Sequence, residues 1–133
     1  MTFEEHVVVA RPPAEVYDFV ADLERAPEWQ SSLESVDVER GVEVRTFAGH
    51  SREASFEVTQ RERPIRFGIE SRSGSVRAHA VFAFTPVDEG TQVDFRLDVE
   101  VGGPARLAAA MMRGRLAREA RQNLVRLSEL LGA

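Results

Sequence analysis

The sequence predicts an α+β domain made of one antiparallel sheet and one long amphipathic helix. The middle of the chain alternates apolar and polar residues, as around Val93, Phe95 and Leu97. This period of two is typical of a sheet with one packed and one solvated face. The last part of the chain, residues 105–131, contains no proline and carries an apolar stripe with helical spacing. Because each layer has one apolar surface, the two layers are expected to bury these surfaces against each other.

Length and composition fit a single domain over residues 1–133, and we expect a cytoplasmic protein. No apolar run reaches the roughly 20 residues of a membrane span. The absence of cysteine and lysine excludes disulfides, zinc–cysteine sites and Schiff-base lysine chemistry. The formal charge of −5 argues against a nucleic-acid partner.

The chain is expected to begin with one strand and two short helices. Residues 3–10 are rich in valine, which favours a strand, and the prolines that follow suit the first turn of a helix. The next apolar side chains recur with helical spacing, at Val16, Phe19, Val20 and Leu23. A second helical turn is predicted to end at Trp29, the only tryptophan.

Six more strands are predicted after the short helices. They are centred on residues 36–38, 42–46, 54–58, 65–69, 76–84 and 93–101. Glycine-containing turns at residues 73–75 and 88–90 separate the last three. In the strand at 42–46, Val42, Val44 and Thr46 are assigned to the inner face and Arg45 to the outer face. The other arginines assigned to the outer face are Arg66, Arg77 and Arg96.

A single C-terminal helix is predicted over residues 105–131, with Gly132 as its stop. At 1.5 Å per residue it would be about 40 Å long. The segment from Pro104 to the end holds six arginines and two glutamates, a net charge of +4. An acidic partner or a membrane surface would be attracted to it, although the solvated face of an ordinary helix would carry the same charges. The apolar stripe consists of Met112, Leu116, Ala120, Leu124, Leu127 and Leu131.

Residues 13–22 read PAEVYDFVAD and are followed by Pro27, Glu28 and Trp29. Shorter pieces that fit the same pattern are RP at 63–64, FAFTP at 82–86, GT at 90–91 and NLVRL at 123–127. With these motifs the full chain resembles the polyketide cyclase/dehydrase and lipid-transport (SRPBCC) family of the START and Bet v 1-like helix-grip superfamily. The resemblance is specific for the fold and says little about function, because the superfamily includes lipid carriers, cyclases and hormone receptors.

The resemblance implies a helix-grip fold. In this fold a curved seven-stranded antiparallel sheet wraps round the long C-terminal helix, and two short helices follow the first strand. The fold further implies a cavity between sheet and helix that binds apolar small molecules such as lipids, sterols, quinones or polyketides.

Residues assigned to the inner face indicate where such a cavity would lie. Phenylalanines on the strands combine with a flexible methionine on the helix, and rigid aromatics with methionine are common at small-molecule sites. Small residues on both layers, among them Ala78, Ala80 and Ala120, leave space between them. A solid core would show the same alternation, and Trp29 would then cap this core rather than gate a ligand. The predicted ligand-binding residues are Trp29, Phe56, Phe67, Phe82, Phe84, Phe95, Met112, Leu116 and Ala120.

The sequence contains no recognisable catalytic or metal-binding constellation, and we predict neither a metal nor a cofactor. His6, His50 and His79 lack metal-ligand spacing. His6 and His79 are expected on the solvated face, whereas His50 could reach the rim of the cavity. Catalytic residues therefore stay unassigned. If the chain is an enzyme, the first residues to replace are His50, Tyr17, Glu28 and Trp29.

Three functional hypotheses follow. The leading one is binding or transport of a hydrophobic small molecule, such as a lipid, a quinone or a polyketide-like compound, in the cavity. The alternative is a polyketide aromatase/cyclase or dehydratase that folds a reactive chain in the same cavity. The third is an interaction protein that recruits a partner or a membrane through its basic C-terminal helix or a sheet edge. No transmembrane segment is expected, and a homodimer is compatible with the sequence.

Overall fold

The computed structural model describes residues 1–47 and 49–132, so Ala133, the last residue of the predicted domain, lies outside the described part. Seven antiparallel strands form one sheet in the order β1-β7-β6-β5-β4-β3-β2. The strands are β1 (Thr2–Val9), β2 (Leu33–Asp37), β3 (Val42–Phe47), β4 (His50–Glu62), β5 (Arg66–Ser73), β6 (Val76–Val87) and β7 (Gly90–Val101). The helices are α1 (Pro13–Ala21), a 3₁₀ helix (Leu23–Glu28), α2 (Ala105–Met111) and α3 (Arg113–Gly132).

The two short helices after β1 form as predicted. Pro13 occupies the first turn of α1, where its missing N–H costs no hydrogen bond. The spacing of the apolar residues then buries one face of α1, including Val16, Phe19 and Val20. The 3₁₀ helix ends at Glu28 and is followed by the cap residue Trp29, whose backbone N–H donates to the carbonyl of Ala26. These helices close one end of the space above the sheet.

Helix α3 lies between the two edges of the curved sheet. Along β1, the guanidinium of Arg113 stacks 5.9 Å from the ring centre of Phe3. At the other end of β1, Arg11 Nε donates to the carbonyl of Leu131 over 2.6 Å. On its opposite side α3 meets the segment before β2, where the N–H of Ser31 donates to Asn123 Oδ1 over 3.1 Å. Since β1 and β2 are the two edge strands, the sheet wraps round the helix, which confirms the helix-grip prediction.

One buried cluster holds the layers together. It joins Val9 and Val93 of the sheet to Leu124 and Leu127 of α3, and these side chains are at most 2% exposed. Burying each contributes roughly 1.5–3 kcal/mol. The C-terminal half of α3 is therefore the half that anchors the helix to the sheet.

The predicted single C-terminal helix is wrong in one respect, because it is broken at Met112. Met112 has φ −97° and ψ 5°, so its backbone leaves the helical region. Helix α2 contacts β7, whereas α3 lies along β1. With 20 residues, α3 is about 30 Å long rather than about 40 Å.

The predicted orientation of β3 is also wrong. Glu43 pairs across the ladder with Ala54, and Arg45 pairs with Arg52. Because Ala54 shares its face with Phe56 and Val58, both Glu43 and Arg45 belong to the inner face. Glu43 is only 5% exposed. A shift of one residue exchanges the two faces of a strand. The predicted alternation in β3 was therefore right, but the face assigned to the interior was wrong.

Candidate functional site

The inner face of the sheet has a sealed end and an open end. At the sealed end Phe67, Phe82 and Phe84 are at most 4% exposed and pack with α1 and the C-terminal half of α3. The ring of Tyr17 makes edge contacts with Phe67 at 6.1 Å and Phe84 at 5.6 Å between ring centres. Tyr17 is itself 5% exposed, so it is a core residue.

At the open end the apolar residues are only half-buried. We name this surface the open strip, and all its members have intermediate exposure. The strand register identifies the sheet residues of the strip. Phe95 lies opposite the buried Phe82, and Leu97 is the next residue of β7 that faces inward. Met112 and Leu116 continue the buried stripe of α3 toward its N-terminus. The open strip consists of Phe56, Ile69, Phe95, Leu97, Met112 and Leu116.

The nine predicted ligand-binding residues divide between these two ends. Four of them, Phe56, Phe95, Met112 and Leu116, belong to the open strip. The other five are at most 7% exposed, and they belong to the packed core. These are Trp29, Phe67, Phe82, Phe84 and Ala120.

Trp29 lies at the junction of the two ends. Its ring meets Phe82 edge-on at 5.9 Å, and Phe82 in turn packs 4.9 Å from Phe95 of the open strip. Trp29 is 4% exposed, which favours the core-capping role over the gate. Its indole Nε1 nevertheless has no hydrogen-bond partner among the described residues. A buried indole N–H normally has a partner, so this donor marks a place where an acceptor would be stabilised.

A polar network borders the inner face at β3. Arg45 Nε donates to Glu43 Oε1 over 3.0 Å, its Nη1 to Ser32 Oγ over 3.1 Å, and its Nη2 to Gln30 Oε1 over 2.8 Å. The Arg45 side chain keeps 36% of its surface exposed, whereas that of Glu43 keeps 6%. The network fixes the segment that follows Trp29, and it presents a cation at the border of the inner face.

Sequence reasoning missed this network because it assigned Arg45 to the outer face. The feature that reveals the orientation of β3 is the hairpin between β3 and β4, which closes with Phe47 opposite His50. Counting back from that closure places Ala54 opposite Glu43 and so turns Glu43 inward.

Two open grooves flank α3. The first, about 390 Å³, lies between the segment before β2 and α3 and is polar. The second, about 480 Å³, runs along the outer side of α3. None of the nine predicted ligand-binding residues lines either groove. The lining residues of the first are Ser31, Ser32, Thr46, Arg115, Arg118, Glu119 and Gln122. Those of the second are Arg118, Arg121, Gln122, Val125, Arg126 and Glu129.

The candidate catalytic residues do not form one constellation. His50 is exposed at the start of β4, and Glu28 is on the surface, bound to Arg25 at 3.0 Å. That hydrogen bond lowers the pKa of the Glu28 carboxyl below its usual range. His6 is exposed, and His79 Nε2 lies 3.2 Å from Thr59 Oγ1 on the outer face. Within residues 1–47 and 49–132, no three histidine, aspartate or glutamate side chains cluster as a metal site would require.

A family model described as polyketide cyclase / dehydrase and lipid transport matches residues 1–132. The chain belongs to this family. The match covers the sheet, both short helices and α3, so the family resemblance drawn from the N-terminal motif is confirmed. The curated proteins include none whose sequence matches this chain.

Solved structures of other proteins share the fold at low sequence identity. TTHA0849 from Thermus thermophilus is 22% identical, with a TM-score of 0.80 over 97% of this chain and 95% of that one. The di-domain ARO/CYC StfQ from the steffimycin biosynthetic pathway is 16% identical, with a TM-score of 0.77 over 98% of this chain and 50% of that one. A START superfamily protein from Mycobacterium smegmatis is 18% identical, with a TM-score of 0.72 over 97% and 98% of the two chains. At these identities the likeness establishes the fold alone.

Proposed function

We propose that this family member binds a hydrophobic small molecule, of the lipid, quinone or polyketide-like class, between the sheet and the N-terminal half of α3. The observation that carries the proposal is the open strip, whose six apolar side chains stay half-buried although they lie on the inner face. A ligand seated there would remove this apolar area from water, at roughly 25 cal/mol per Å². Family membership and the helix-grip fold support the same proposal.

Binding without chemistry fits the composition of the open strip. All six of its side chains are apolar, so the strip itself supplies neither a nucleophile nor a general acid or base. The unpartnered Nε1 of Trp29, which is joined to the strip through Phe82 and Phe95, would favour a ligand with an acceptor oxygen at its inner end.

The only tryptophan of the chain provides the test. Its fluorescence and the melting temperature are measured while oleic acid, decylubiquinone and the aromatic polyketide emodin are titrated separately. At a ligand concentration of 100 times Kd, we expect stabilisation of about 2.7 kcal/mol. Failure of all three compounds to move either signal would contradict the proposal.

A matched pair of variants locates the site. Leu116→Asp places a charge in the open strip, whereas Val125→Asp places the same charge on the outer side of α3, where Val125 is 43% exposed. We expect the first variant to lose ligand-induced stabilisation and the second to keep it. Equal loss in both variants would place the ligand elsewhere.

The polar network supports a second function, a polyketide aromatase/cyclase or dehydratase. Arg45 is partly exposed at the border of the inner face, and a guanidinium stabilises developing oxyanions. Under this alternative, a short synthetic poly-β-ketone would cyclise faster with the protein than without it, and Arg45→Gln would abolish the acceleration while ligand binding persists. If the protein changes neither the rate nor the products of poly-β-ketone cyclisation, the enzymatic alternative is refuted and only the binding function remains.

A further inference from the structure

Helix α2 is apolar and yet buries nothing. Of its seven residues only Arg106 is polar, and none is buried. Leu107 is 74% exposed and Met111 is 82% exposed. These two residues are four positions apart and therefore project from the same side of the helix. A surface helix of a globular protein normally turns such residues toward the core. The exposed pair therefore indicates that another surface covers it.

The helix that follows the apolar pair, α3, carries a basic surface on its outer side. Arg118, Arg121 and Arg126 line the groove on the outer side of α3, together with the half-exposed Val125. Six arginines and two glutamates occur from Pro104 to the end of the chain. In the described part of the chain, none of these six arginines forms an ion pair with an acidic side chain within 4.0 Å. We name Leu107, Met111, Arg118, Arg121, Val125 and Arg126 the docking surface.

We infer that the docking surface binds the surface of an anionic lipid bilayer. Leucine and methionine side chains insert at the boundary between headgroups and acyl chains, while arginines beside them pair with lipid phosphates. Both halves of this requirement are present on adjoining segments. None of the described helices is long and apolar enough to cross a bilayer.

A second copy of the chain fits the docking surface less well. The acidic remainder of a second copy, with a net charge of −9, would attract the arginines, but the apolar pair would find no matching surface among its described residues. The other large apolar residues exposed beyond 40%, outside the C-terminal helices, are Val8, Val38 and Ile65. They lie on β1, in the turn after β2 and before β5, and so they form no single apolar surface to cover Leu107 and Met111.

The position of the docking surface relates it to the open strip. Met112 directly follows Met111, so a bilayer bound to α2 would lie beside the open end of the inner face. Exchange of an apolar ligand between the strip and the bilayer would then need no long path through water. This consequence rests on the proposed function, whereas the docking itself does not.

The test is co-sedimentation of the full chain with vesicles of phosphatidylcholine alone or of phosphatidylcholine mixed with phosphatidylglycerol. We expect binding to the mixed vesicles only, weakening as NaCl is raised because salt screens the arginines. The triple variant Arg118→Gln, Arg121→Gln, Arg126→Gln should lower the partition coefficient by about 100-fold at low salt. The control replaces three other exposed arginines, Arg40, Arg52 and Arg66, by Gln and should leave binding within about twofold.

The apolar half of the surface has its own matched pair of variants. Leu107→Ser with Met111→Ser should reduce vesicle binding at least about tenfold, whereas Val38→Ser with Ile65→Ser should not. Circular dichroism checks that each variant is folded. The inference would be overturned by equal binding to both vesicle types or by binding to neither. It would also be overturned if light scattering showed a stable dimer that the double variant Leu107→Ser with Met111→Ser converts to monomers. Ligand binding without vesicle binding would refute the docking and leave the proposed function intact.

Discussion

Replacing Arg45 by Met tests the polar network built on the inward orientation of β3. The guanidinium of Arg45 makes four hydrogen bonds, two to Glu43 and one each to Gln30 and Ser32. Methionine has a similar length and no charge, so the substitution removes these bonds and leaves the space largely filled. Glu43, only 5% exposed, would then be a buried carboxylate without its cation.

The expected cost follows from this geometry. Removing one partner of a fully buried ion pair costs about 3–5 kcal/mol. Arg45 itself is 36% exposed, so water compensates part of the loss, and we expect about 2–3 kcal/mol. For a domain of this size the corresponding fall in melting temperature is about 8–12 °C.

Arg52→Met is the matched control. Arg52 lies directly opposite Arg45 in the β3–β4 ladder and is exposed. Both variants are compared with the parent by urea and thermal unfolding, and we expect the control to cost less than about 0.5 kcal/mol. The double variant Glu43→Leu with Arg45→Met should recover at least half of the loss, because no buried charge remains. Because Arg52 shares the face of Arg45, the comparison isolates the hydrogen bonds of Arg45, and a loss of equal size in Arg45→Met and Arg52→Met would refute a stabilising role for the network.

Three further predictions concern other parts of the structure. Trp29→Phe removes the unpartnered Nε1 donor, and we expect the preference for 2-acetylnaphthalene over 2-ethylnaphthalene in isothermal titration to fall about fivefold or more; an unchanged preference would contradict a ligand contact at Nε1. The hydrogen bonds from Arg63 lower the pKa of Asp18 below 3.8, so the ionised pair stabilises the fold above about pH 4 and this contribution is lost as the pH falls through the lowered pKa. Asp18→Asn should therefore cost up to about 0.5 kcal/mol at pH 7 and nothing near pH 2, and a cost that persists near pH 2 would refute the assignment. Gly90 has φ +138° and a Cβ there would overlap the carbonyl oxygen of Val9, so Gly90→Ala should lose about 2 kcal/mol or more in urea unfolding, and a loss below about 0.5 kcal/mol would count against it.

The sequence allowed the strand count, the helix positions and the sheet–helix layering to be predicted. Alternation at Val93, Phe95 and Leu97 defines which residues of β7 share a face whatever else the strand touches. The spacing of Ala120, Leu124 and Leu127 likewise selects the buried side of α3, and all three are buried. These are local properties, because the side-chain directions of a strand or helix depend on its own backbone.

The candidate site was only partly predictable. Phe56 and Phe67 have the same alternation pattern, yet one is half-buried in the open strip and the other is fully buried in the core. Local periodicity does not say how far α3 covers the sheet, since that depends on where the helix begins after the break at Met112. The predicted ligand role of these residues stays a prediction until a ligand is tested.

The amino-acid sequence by itself determined the strands, the short N-terminal helices and the family, because these reside in local spacing and in motifs that need no neighbour. Only the tertiary structure decided which face of β3 turns inward, where the inner face stays open and which apolar residues of α2 remain exposed. The physical reason is that these features depend on pairing between strands and on the docking of α3 against both sheet edges. A one-residue shift in pairing exchanges Arg45 with its neighbours while leaving the alternation of the sequence unchanged.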